Sequence, residues 1–286
     1  MISSAKLSED VRMLSDVIGE RNILHPKELD AAANFLDQSL RKAGYAVKRQ
    51  TYEVDGMPCH NLEAELAGSN EIVVVGGHYD SVFGSPGAND NATGAAAVLA
   101  LAREFAGQRP GRTLRFVEFV NEEPPYFQTE QMGSLVYARA CKARGENIVG
   151  MLSLETMGFY SDAPGSQKYP FPFNWLFPSV GNFIGLVANR ASKRLLTRLV
   201  EAYASSVPCQ SVSTFESIPG IGWSDQWSFW QVGYPGVMVT DTAPFRYPHY
   251  HTALDTPDKI DYGCLAQVVQ GLAGALNRIC LTDPIL

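Results

Sequence analysis

The chain reads as an α/β protein: a three-layer α/β/α sandwich with a mixed, largely parallel central sheet. Three observations predict it. Short apolar runs and helix-like segments alternate along most of the chain, joined by short connections. An antiparallel pair precedes this alternation, which makes the sheet mixed. Polar residues with metal-binding chemistry recur at the ends of the apolar runs, where open α/β sheets bind their ligands.

Taken in order, residues 7–18 and 26–43 show helical periodicity, and Gly44 is a helix stop. AVKRQTYEV and NLEAELAG, separated by the turn-rich DGMPCH, form the antiparallel pair. EIVVVGGH is a buried strand and NATGAAAVLALAREFAG a helix. TLRFVEFV is a strand, GSLVYARACKARG a helix and IVGMLSLETM a strand. After NFIGLVANR come the helix SKRLLTRLVEAYASSV, the short helix SDQWSFWQVG and the strand PGVMVTDT. DYGCLAQVVQGLAGALNRICL is the closing helix. YPFPFNWLFPSVG, residues 169–181, is a long aromatic loop, and long loops in such folds are commonly functional. No repeat or interdomain linker interrupts the pattern, so residues 1–286 are expected to form one domain.

The composition, 45% hydrophobic and 19% charged, is that of an ordinary globular protein. A net charge of −7 argues against nucleic acid as a partner, because phosphate binding needs a basic face. No apolar run is long enough to span a bilayer, so no membrane partner is expected. Oligomeric state is not legible. The five cysteines are scattered without a CxxC pair and read as free thiols. No signal peptide is visible in this chain, which favours the cytoplasm; removal of a leader would make it secreted or periplasmic.

The chemistry concentrates at four strand ends. His78 and Asp80 follow IVVVGG; Asn121, Glu122 and Glu123 follow LRFVEFV; Glu155 follows GMLSL; Asp241 follows GVMVT. So many acids at one edge repel unless a cation neutralises them, and the presence of histidine favours a divalent transition metal. His78 reads as a ligand, with Asp80 accepting from its other ring nitrogen and fixing the tautomer. Asp90 has a simpler reading as a helix N-cap. Successive strand residues face opposite sides, so adjacent glutamates are a poor core choice. At a strand end one can hold metal while the other faces water, the division hydrolysis needs. His251 competes with His249 for the role of a further imidazole, and His25 and His60 read as surface or structural residues.

Together, HYDS, GANDNATG, NEE, LETMG, SDQWSF and YHTALDTPDKID resemble, in order, the motifs of the zinc aminopeptidase family. That family includes bacterial leucyl aminopeptidases, aminopeptidase Y and glutaminyl cyclases. The resemblance covers nearly the whole chain. It implies a phosphorylase/hydrolase-like fold and two zinc ions, one held by His78 and Glu155, the other by Glu123 and His251, with Asp90 between them. Glu122 would be the general base and Asp80 the partner of His78. Asp225 matches a position near the site in a Ser-Asp-His motif, but Gln226 stands here in place of the histidine. Glu155 stands where many relatives carry aspartate. Residues 124–132, PPYFQTEQM, form a longer insertion than usual at the mouth.

The function so implied is hydrolysis of N-terminal residues from peptides with a free N-terminus. The alternative is a glutaminyl cyclase with a single zinc. A non-catalytic binding module is disfavoured because all the ligand types and the base are present. Trp227, Phe245 and Tyr247, with Phe171, Phe173 and Trp175, lie in loops that could wall the site and favour apolar or aromatic first residues.

Overall fold

In the computed structural model, which describes residues 1–171 and 173–282, eight strands form one sheet. They are β1 (Lys48–Val54), β2 (Met57–Leu66), β3 (Ser69–His78), β4 (Arg112–Phe119), β5 (Asn147–Glu155), β6 (Ile184–Asn189), β7 (Cys209–Thr214) and β8 (Gly236–Thr240). Their order across the sheet is β1-β2-β4-β3-β5-β8-β6-β7. The four central strands β4, β3, β5 and β8 run parallel, so their carboxyl ends share one edge. β1 and β2 pair antiparallel, and β6 runs antiparallel to β8.

The helices are α1 (Ser4–Arg12), α2 (Pro26–Lys42), α3 (Thr93–Phe105), α4 (Gly133–Ala143), α5 (Lys193–Ala202), α6 (Gln226–Gln231), α7 (Ala243–Arg246) and α8 (Tyr262–Asn277). Helices α1, α2, α3, α5 and α8 pack together over one sheet face, while α4 and α6 cover the other. α3 is the central helix, and its alanines let it lie close to the sheet. At Gly94 a Cβ would sit 2.2 Å from the Leu154 carbonyl oxygen, so no other residue fits there without moving a strand. This close approach sets the segment leading into α3 directly above the ends of β3 and β5.

Three details depart from the sequence reading. Most of DGMPCH is strand: the hairpin turns on Asp55 and Gly56 alone, with φ of 49° and 80°. That pair of positive φ values is what a tight two-residue hairpin requires. β7 escaped detection because Cys-Gln-Ser-Val-Ser-Thr, at the sheet edge, is only half buried and shows little apolar alternation. The first helix continues past Arg12 with wider, π-type winding over Met13–Ile18, and α8 does the same over Arg278–Thr282. Among the described residues, no helix is long and apolar enough to cross a membrane. All five cysteines are unpaired.

Candidate active site

The shared carboxyl edge of β4, β3 and β5 delivers His78, Glu122, Glu123 and Glu155 to one place. His78 and Glu155 are the last residues of their strands. After β4 the chain turns through Asn121 at φ 59°, an uncommon value for a residue with a side chain, and this turn brings both glutamates to the same side. Asp90 comes from the irregular segment Ala88–Ala92 above α3, and His251 from the loop before α8.

Two groups of ligand-type side chains result, and Asp90 belongs to both. In the first, His78 Nε2 lies 3.4 Å from Asp90 Oδ1 and 3.2 Å from Glu155 Oε2. In the second, His251 Nε2 lies 3.1 Å from Asp90 Oδ2 and 3.3 Å from Glu123 Oε2. Glu122 Oε2 stands 3.8 Å from His78 Nε2, at the side of the first group. His78 is wholly buried, yet neither of its ring nitrogens has a hydrogen-bond partner, and the same holds for His251 Nε2. Buried polar atoms are nearly always paired, so the two orphaned Nε2 atoms, each beside the carboxylates of one group, fit divalent cations held there, while His78 Nδ1 faces Asp80.

Charge crowding and burial together shift the ionisation of these groups. Burial pushes the Glu122 carboxyl well above its ordinary range, and burial with Asp90 beside it takes Glu123 up to about 7. Glu155 is likewise raised, chiefly by burial. Burial opposes ionisation of Asp90 too, but the two imidazoles overcome it and hold its carboxyl below the usual range. Burial works against a charged His251, yet Asp90 and Glu123 outweigh it and lift the imidazole to about 10.

Around these groups lies a shell that fixes them. Asp80 sits 3.4 Å from His78 Nδ1 and also accepts the backbone N–H groups of Glu122 and Glu123, each at 3.2 Å. Val82 N–H donates to Glu123 Oε1, and Ser224 Oγ donates to Glu155 Oε2 at 2.7 Å. Asp255 accepts the N–H groups of Asn89 and Asp90 at 2.8 and 3.0 Å. The buried Arg21 guanidinium donates to the carbonyls of Tyr79, Pro86 and Gly87, binding the end of β3 to the loop before Asp90.

The family model for peptidase family M28 matches residues 61–276, which span all of these residues except Arg21. The chain belongs to peptidase family M28. Its similarity to the uncharacterized protein YfbL of Escherichia coli is 34% identity over 282 residues, covering 94% of this chain and 86% of that one. A probable leucine aminopeptidase of Arthroderma otae is 25% identical over 241 residues, covering 78% of this chain and 57% of the relative. The fold matches the solved aminopeptidase of Aneurinibacillus sp. strain AM-1 with a TM-score of 0.78 at 18% identity, covering 100% and 96% of the two chains.

This M28 chain brings together His78, Asp80, Asp90, Glu122, Glu123, Glu155 and His251. Asp90 is not a helix cap; its side chain faces both imidazoles. Of the four residues expected at the substrate, Phe245 lines a cavity that begins at Glu155 and Tyr250. Asp225 is instead fully buried, and Tyr247 is buried with its hydroxyl on Asp255. Trp227 is not in the cavity lining and packs against the apolar cluster of Val187, Ile221, Trp230 and Met238. Asp241, at the end of β8, stays out of both ligand groups and accepts from Asn89 and Phe159. The insertion docks through Tyr126 on Asp55 and Gln128 on the Gly222 carbonyl, next to Trp223 at the cavity wall. His249 does not join the ligand groups.

Sequence reading missed Arg21, Ser224 and Asp255 as supports. Asp255 had a signal, an acid four residues after His251, but its role depends on a contact 165 residues away in sequence. Tyr250 stacks on His251 with ring centroids 3.8 Å apart, a contact that no local pattern in the sequence signals.

Proposed function

We propose that this chain is a zinc aminopeptidase that releases N-terminal residues from peptides with a free N-terminus, using two zinc ions. One observation carries the reading: two imidazole Nε2 atoms without hydrogen bonds, each beside carboxylates, with Asp90 common to both groups. His78, Glu155 and Asp90 would hold one ion, and Glu123, His251 and Asp90 the other. When bound, such ions supply Lewis acidity that brings the pKa of water toward 7 and polarises a carbonyl.

The chain's own residues do the rest. Glu122, beside the first group but outside both, takes a proton from the attacking water and returns it to the leaving amine. Its burial raises the carboxyl's affinity for a proton, which strengthens it as the base that takes the water's proton. Asp80 holds the backbone of Glu122 and Glu123 and, facing His78 Nδ1, orients that ring. Ser224 fixes the Glu155 oxygen. The cavity beside Glu155, walled by aromatic residues such as Phe245 and Trp223, receives an apolar first side chain.

The test is a hydrolysis screen over N-terminal residue types, with metal content measured on the same sample. Removal of metal by a strong chelator abolishes hydrolysis and zinc restores it. Activity unchanged after verified metal removal refutes the mechanism. Conversion of an N-terminal glutaminyl peptide to pyroglutamate, without release of residues, assigns the chain to cyclase chemistry instead.

A further inference from the structure

The cavity beside Glu155 has an unusual shape for a pocket that takes one short side chain. Glu155 pairs with Thr240, Thr240 with Gly185, and Gly185 with Gln210, and all four line the cavity. They form one transverse row across β5, β8, β6 and β7. Three interstrand steps make this row roughly 14 Å long. The next row toward the sheet interior is Met238, Val187 and Val212, also in the lining and wholly apolar. Gly185 leaves the middle of the floor without a side chain; a Cβ there would already lie 3.2 Å from Thr240 O and Thr242 Cγ2. Phe173 and Phe177 of the aromatic loop also line the cavity. The cavity volume is about 90 Å³ and its mouth is open; with this row as its floor it forms a slot. At its far end stands Gln210, half buried on the edge strand β7, so the slot runs toward the rim of the sheet.

We propose that this slot selects substrates whose first residue carries a long, narrow, apolar side chain, extending beyond the reach of leucine or methionine. The inference rests on the peptidase reading, because Glu155 at the near end is one of the residues assigned to metal. A leucine side chain spans about one interstrand gap and leaves most of the slot to water. Each further methylene leaves water for an apolar surface, worth about a fourfold gain. The gain stops where the chain passes Gln210 and meets solvent.

The experiment uses the zinc-loaded protein and a series of α-amino amides with unbranched side chains: norvaline, norleucine, 2-aminooctanoate, 2-aminodecanoate and 2-aminododecanoate, with leucine as reference. The expected result is a kcat/KM that climbs by about fourfold per methylene past norleucine and then levels. Calorimetric binding of the same amides to the zinc-free protein follows the same order. In Gln210→Phe, an aromatic at an edge position suits the strand and narrows the far end. There the ratio of kcat/KM for 2-aminodecanoate over norleucine falls by at least about tenfold. An optimum at leucine or norleucine with falling rates beyond it overturns the slot while leaving the peptidase reading intact. Absence of hydrolysis for every amide defeats the peptidase reading and the slot with it. An unchanged ratio in folded Gln210→Phe also counts against the proposal.

Discussion

Replacing Arg21 with methionine removes a buried group that ties the end of β3 to the loop carrying Asp90. Arg21 is fully buried and donates to the Tyr79 carbonyl at 2.5 Å, Pro86 at 2.6 Å and Gly87 at 2.8 Å. Methionine fills similar space but offers no donor, so these three carbonyls lose a partner, as do the more distant ones of Leu14 and Gly19. Each loss costs about 1–3 kcal/mol, roughly 3–9 kcal/mol for the three short bonds alone. The charged guanidinium itself is held in the interior at a cost, since burial brings its pKa down to about 10. Relief of that cost places the net loss near the lower end, about 3 kcal/mol. For a chain of this size that corresponds to a fall of roughly 6–12 °C in Tm. The zinc-free variant is melted by circular dichroism, and zinc affinity is measured by chelator competition well below both melting points. Loosening the loop before Asp90 lowers zinc affinity by about tenfold or more, the usual effect of losing a support behind a metal ligand. A Tm within about 2 °C of wild type with unchanged zinc affinity refutes the reasoning, because the carbonyls then have another way to be satisfied.

The two adjacent glutamates fail differently. Glu122→Gln keeps volume but cannot take the water's proton, so turnover drops by at least ~100-fold while zinc content stays near wild type. Glu123→Gln weakens a ligand and lowers zinc occupancy as well as activity; stoichiometry after identical dialysis separates the two, and a reversed pattern reverses the roles. Zinc uptake is also pH-dependent. The His251 imidazole is raised to about 10 in the metal-free protein, so at pH 7 it is protonated and must lose that proton to bind metal. Apparent zinc affinity therefore rises with pH from about 6 to 9, with proton release measurable in a weakly buffered solution. The pairing of His251 with Asp90 stabilises the metal-free fold below pH 6.5, and that contribution is lost as pH climbs through about 10. Zinc binding that is independent of pH and releases no protons excludes His251 as a ligand.

The sequence by itself determined the layer architecture and the identity of the chemical groups. Apolar runs such as EIVVVGGH and LRFVEFV can only be buried strands in this context, and acids at their ends have no place in a core. Hence His78, Glu122, Glu123 and Glu155 were legible from local pattern, and their motif order carried the resemblance. The tertiary structure decided which groups meet. Asp90 read locally as a cap, yet the close approach of α3 at Gly94 and the grip of Arg21 and Asp255 turn it toward two histidines. Asp225 and Tyr247 looked like substrate contacts, but neighbouring elements bury them. The edge strand β7 and the row from Glu155 to Gln210 leave no local trace, because they arise from pairings between segments far apart in the chain. Local sequence fixes what a residue can do by its chemistry and burial preference; its partners depend on distances set by the packing of the whole sheet.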